Sequence, residues 1–115
     1  MCYTRKPKHH KQIGKRGISI SYWNVQGIRQ KIEDNDFIKC IKNHDIIGLG
    51  ETWLNKDSLN TLNIPGYYSH SIIRSKQPGG GLSILINEQI KKGIKIEDVD
   101  SEDMLWCKLK KDFFN

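Results

Sequence analysis

What this sequence lacks bounds it before any motif is read. No apolar run approaches the roughly 20 residues needed to span a membrane, and the N-terminus has no apolar core of the kind a signal peptide carries. The chain therefore reads as an intracellular protein, cytoplasmic or nuclear, with no membrane partner. Cysteine is scarce: Cys2, Cys40 and Cys107 are far apart and form no Cys-x-x-Cys. That spacing argues against zinc and predicts reduced, structural thiols.

Acidic residues are missing from one region entirely. Positions 1–17 hold six of the 19 basic residues and none of the 13 acidic ones, so the whole formal charge of +6 lies in this tail. From Ile18 onward the two signs balance. A basic, weakly apolar tail with paired His9-His10 is expected to be disordered and solvated, with salt-dependent nucleic-acid contact as its second reading. At 115 residues the chain has room for one small domain with a modest core, or for part of a larger one.

The body of the chain alternates strand and turn signals around one helix. Ile18 to Trp23 has strand periodicity, with Ile18, Ile20 and Tyr22 forming the more apolar face, and Gly27 ends it. From Asp34 to Asn43, Phe37, Ile38 and Ile41 recur at helical spacing, with acids at the start and Lys39 and Lys42 near the end, as a helix dipole favours. Asp45 to Glu51 holds the near-continuous run Ile46-Ile47-Gly48-Leu49, the pattern of a strand covered on both faces. Strand, helix, strand over so short a span predicts a crossover with the two strands parallel.

Further on, Leu54 to Pro65 reads as a loop with a helical turn near Ser58 to Leu62. Tyr67 to Arg74 and Leu82 to Ile86 then form a hairpin through Gln77-Pro78-Gly79-Gly80-Gly81. Ile94 to Val99 and Met104 to Leu109 are expected to continue it as an antiparallel meander.

Parallel strands bring their C-terminal ends together, which is where ligands bind in open α/β sheets. Asn24 ends the first strand and Glu51 the second. An amide beside a carboxylate is the start of a site for a hard divalent cation, which prefers oxygen ligands from one or two carboxylates and the substrate's own phosphate. Taken singly, each residue has a blander reading: Asn24 as a turn former and Glu51 as a solvated strand end. The triple glycine precedes a strand, not a helix, and no Gly-Lys-Ser follows, so it reads as a turn and not as a phosphate loop. His44 suits a helix C-terminus. Trp23, Trp53 and Trp106 read as packing residues, Trp53 with the alternative of stacking on a base.

The order of the pieces is more specific than any one of them. Trp23-Asn24-Val25-Gln26-Gly27-Ile28, a short helix, Leu49-Gly50-Glu51-Thr52-Trp53, Pro65-Gly66-Tyr67, an Arg, Gly79-Gly80-Gly81-Leu82-Ser83-Ile84 and a late Trp together resemble the endonuclease/exonuclease/phosphatase superfamily, with its DNase-I-like fold. Glu51-Thr52-Trp53-Leu54 is most similar to the endonuclease domains of non-LTR retrotransposons and related reverse-transcriptase-encoding elements.

The resemblance implies an α/β (α+β) fold: the N-terminal half of a four-layer α/β/β/α sandwich, with a mixed sheet and a β-hairpin, over residues 18–115. It implies Mg²⁺ or Mn²⁺ as cofactor, nucleic acid (DNA favoured) as partner, and phosphodiester hydrolysis. Asn24 and Glu51 would be the catalytic and metal-binding residues, and Gln26 and Arg74 would bind substrate. The later family motifs, Gly-Asp-x-Asn and Ser-Asp-His, have no counterpart here. The expectation is thus a truncated metal-dependent endonuclease domain, inactive alone, whose missing C-terminal half belongs to a longer product. A non-catalytic nucleic-acid-binding remnant, or a phosphatase or phospholipase of the same superfamily, are the alternatives.

Overall fold

The computed structural model describes residues 17–74, 79–97 and 99–114; the basic tail up to Arg16, and Gln77 and Pro78 of the predicted Gly-rich turn, lie outside it. Its elements are β1 (Ile20–Asn24), α1 (Asn35–Lys42), β2 (Ile46–Gly50), β3 (Tyr67–Ile72), β4 (Leu82–Asn87), β5 (Ile94–Glu97) and β6 (Trp106–Leu109), with short 3₁₀ turns at Lys31–Glu33, Leu59–Thr61 and Lys91–Gly93. The first four strands form one mixed sheet in the order β1-β2-β4-β3, and β5 and β6 form a separate two-stranded sheet. This mixed α/β architecture is that of a partial DNase-I-like fold.

The crossover forms as the pattern predicts. β1 and β2 are parallel, with Ile20 opposite Ile46 and Asn24 opposite Gly50. Helix α1 between them starts at Asp34, whose carboxylate accepts from the Asp36 amide at 2.8 Å, satisfying one of the donors a helix leaves open at its N-terminus. At its other end, the single proton of the buried Tyr67 hydroxyl is shared between the carbonyls of Ile41 and His44, at 3.0 and 2.7 Å. Tyr67 opens β3, so this contact fastens the helix end to the far edge of the sheet.

Each face of the sheet has its own apolar layer. Ile47, Leu49 and Leu85 point towards Phe37 and Ile41 of α1 and the loop residues Leu54, Leu62 and Ile64. Ile46, Ile84 and Ile86 point the other way, towards Ile94, Ile96 and Cys107 of the small sheet. The strict alternation explains why β2 and β4 read as continuous apolar runs: both faces are covered.

Three expectations are corrected. In β1 the apolar alternation misleads, because Ile20 and Tyr22 are exposed while Trp23 is 3% exposed. Trp23 meets Phe37 and His44 edge-on, so the largest side chain of the strand is the one turned towards the helix. β5 and β6 do not extend a meander: β4 already has β2 and β3 on its two edges, so the last strands pair with each other across the sheet face. Cys107 is a free thiol but Cys40 is disulfide-bonded, against the expectation of reduced thiols.

Candidate metal and phosphate site

The parallel register carries past the strand ends. The Val25 amide donates to the Gly50 carbonyl at 2.9 Å, Gly27 to Glu51 at 2.8 Å and Ile28 to Thr52 at 3.0 Å. Asn24 therefore stands directly beside the segment that carries Glu51, on strands that in a sheet run about 4.8 Å apart. On the opposite side, the Thr52 amide donates to Gly81 and the Trp53 amide to Gly80, at 3.2 and 2.9 Å. The Gly-rich turn thus does more than reverse the chain: it holds the Glu51 segment in place.

Backbone strain is concentrated in the same corner. The non-glycine residues with positive φ among the described residues are Gln26 (48°), Glu51 (54°) and Trp53 (58°), a conformation that costs an L-residue about 1–2 kcal/mol. Such strain persists only where surrounding contacts over-determine it, and it gathers at ligand sites. The contacts are visible. A Cβ on Gly27 would lie 2.8 Å from the Trp53 ring, and one on Gly81 would lie 2.6 Å from the Thr52 hydroxyl. Only glycine lets these two loops close on Glu51.

Trp53 lies across the site. Its indole N–H donates to the Glu51 carboxylate Oε1 at 3.1 Å, and its ring is 49% exposed, so it is not the packing residue the sequence implied. Next to it opens a cleft of about 490 Å³ walled by Gln26, Gly27, Ile28, Arg29, Gln30, Glu33, Thr52 and Trp53. Of the sequence-predicted residues, Gln26 lines this cleft, while Asn24 ends β1 opposite Gly50, the residue before Glu51. Arg74 lies over Gly80, where an added Cβ would be 2.7 Å from its guanidinium, and it pairs with Asp103 at 3.0 Å. It therefore reaches the back of the loop that supports Trp53. Arg29, Thr52 and the Trp53–Glu51 bond escaped the sequence reading; an indole two residues after the carboxylate was the one available sign.

The donors suit a hard cation. Glu51 offers a half-buried carboxylate, one of whose oxygens is held by the indole, and Asn24 offers an exposed amide oxygen. Mg²⁺ is commonly bound through one or two carboxylates plus substrate phosphate and water, so this oxygen set fits as a partial shell. Among the described residues no group of three or more His, Cys, Asp or Glu gathers as a metal cage.

His44 takes a structural place. It is buried, Nδ1 lies 2.6 Å from the Ser19 hydroxyl, and burial lowers its pKa against the opposing pull of Asp45.

A model of the Endonuclease/Exonuclease/phosphatase family matches residues 21–111, and the chain belongs to that family. Solved structures agree on the fold. An AP endonuclease from Archaeoglobus fulgidus is 18% identical with a TM-score of 0.58, over 81% of this chain and 37% of that one. The APE2 catalytic domain of Xenopus laevis is 25% identical with a TM-score of 0.52, over 61% of this chain and 23% of that one. The matched part thus spans between about a quarter and two fifths of those chains. Comparison with curated proteins finds no match. No helix among the described residues is long and apolar enough to cross a membrane.

Proposed function

We propose that this chain contributes the asparagine–glutamate half of a Mg²⁺- or Mn²⁺-dependent phosphodiesterase centre acting on nucleic acid, DNA by preference. The observation that carries the reading is the placement of Glu51, at the end of β2 beside Asn24, with one carboxylate oxygen fixed by the Trp53 indole. A bound divalent cation would supply charge neutralisation at a phosphate oxygen and at the leaving oxygen.

The chain's own residues prepare for that. Glu51 is held in orientation before substrate arrives, so little is lost in ordering it. Asn24 offers both an acceptor and a donor to a phosphate. Nucleic acid is favoured over another phosphoester by the exposed indole beside the site, by the basic residues of positions 1–17, and by the AP endonuclease name of a structural neighbour. The Glu51-Thr52-Trp53 form favours the retrotransposon-type branch within the family.

Hydrolysis also needs a group that activates water, which the Asn24–Glu51 pair does not supply. The reading therefore expects no nicking from the 115 residues by themselves. The test joins residues 18–111 to the later part of a competent family member and measures nicking of supercoiled plasmid. Mg²⁺-dependent nicking that is lost in Glu51→Ala supports the proposal. Equal nicking with and without Glu51, or Mg²⁺-dependent nicking by the 115-residue chain alone, refutes it.

A further inference from the structure

The geometry points to a nucleobase-binding cleft next to the Asn24–Glu51 pair: an unpaired base of the substrate strand stacks on the exposed face of Trp53, between the Gln26–Gln30 turn and Thr52. This rests on the reading of Glu51 as the phosphate-side residue, because it is Glu51 that puts the scissile phosphate beside the cleft.

The walls of the cleft are suited to a base more than to a phosphate alone. Its volume of about 490 Å³ falls within the range of small-ligand sites, and its walls set one aromatic ring among mostly polar side chains. Trp53 provides a flat aromatic wall that is 49% exposed, an arrangement that single-strand binders use because every base has a π-face. The ring is also rigid. Its edge is tied to Glu51 at 3.1 Å, its inner face closes on Gly27, and its backbone amide is held by Gly80. Such preorganisation lowers the ordering cost of binding.

The polar groups divide by role. Arg29 is exposed and meets the backbone phosphate as the strand enters. Gln26 and Gln30 present amides that both donate and accept, as a base edge requires. Glu33, on the same wall, disfavours an anionic group deep in the cleft and accepts from an exocyclic amine.

A duplex presents its base faces already stacked, so this cleft selects a nucleotide that is unpaired or extruded. A more apolar cavity, lined by Tyr22, Leu82 and Trp106 among others, has no cationic side chain in its walls and nothing that shows what covers it.

The test compares binding of a single-stranded adenine octamer with that of an octamer of abasic sugar-phosphate units of equal charge, by fluorescence anisotropy in EDTA. Because both ligands carry the same phosphates, the basic tail affects them alike and the ratio of affinities isolates the bases. The expected ratio favours the base-bearing strand by about 5- to 150-fold, the range for stacking of one base on an aromatic side chain. Trp53→Ala should bring it close to one, and Trp53→Phe should retain most of it. In a Trp106→Phe background, the base-bearing strand should quench tryptophan emission and the abasic strand should not. Equal affinity for the two strands in the native chain, or a Trp53→Ala loss shared equally by both, overturns the cleft assignment. Since no metal is present, a failure of the Glu51 metal reading would show elsewhere and leave this ratio intact.

Discussion

Replacing Gly27 by alanine should damage the site and the fold together, by two separable routes. The backbone there has φ of 97°, outside the regions an L-residue occupies comfortably, which costs about 1–2 kcal/mol. The new methyl would also stand 2.8 Å from Cε3 of Trp53, closer than such contacts tolerate. The ring is half exposed and yields by swinging outwards, so the second cost is the indole bond to the Glu51 carboxylate. A hydrogen bond to a charged group contributes about 1.5–3 kcal/mol when buried, and in this exposed setting about 1 kcal/mol or less.

Together these give about 1–3 kcal/mol. At about 4 °C or more per kcal/mol for a chain of this size, Tm should fall by roughly 4–12 °C. Differential scanning calorimetry gives the total, and a double-mutant cycle with Trp53→Ala separates the parts. The cycle should show coupling of about 1 kcal/mol, with the φ cost remaining. An unchanged Tm in Gly27→Ala, or strict additivity with Trp53→Ala, would refute the claim that glycine is required for the Trp53–Glu51 arrangement.

Other perturbations probe the supporting structure. Tyr67→Phe should cost about 1–2 kcal/mol in urea denaturation, because two carbonyls at the end of α1 lose their shared donor. Burial, aided by Asp45, pushes the Tyr67 pKa up to about 12. Its raised value means stability present below pH 10 is lost as pH climbs towards 12, and Tyr67→Phe should flatten that alkaline limb. His44 has the opposite sign: its pKa is lowered from 6.5 by burial, so stability present above that value declines as pH falls below it. Urea midpoints at pH 7.5 and 5.5 should show the decline, with a smaller one in His44→Gln.

How much was legible in the sequence depended on how local its causes are. Helix α1 could be read from the spacing of Phe37 and Ile41 and from its flanking charges, all within one element. The parallel pairing of β1 with β2 followed from chain order and the shortness of the crossover. The inner face of β1 could not be read, because the burial of Trp23 is decided by Phe37 and His44, which lie beyond the strand. Likewise, the separate β5–β6 sheet depends on β4 having no free edge, a property of the whole sheet. At the site, Asn24 and Glu51 were visible as strand-end residues in a known order. The strain at Gln26, Glu51 and Trp53, and the indole bond that orients the carboxylate, arise from three loops closing on one another and leave only their glycines in the sequence.

The most direct test of the central claim is Mn²⁺ titration of the ¹⁵N-labelled chain, followed by paramagnetic broadening of its amide resonances. Site-specific binding should broaden Asn24 to Gly27 and Glu51 to Trp53 first. Glu51→Gln should weaken that binding at least tenfold, the lower limit of what the loss of even an outer-shell partner costs. Broadening centred elsewhere, or an unchanged Mn²⁺ affinity in Glu51→Gln, would contradict the assignment of Glu51 as the metal-binding carboxylate.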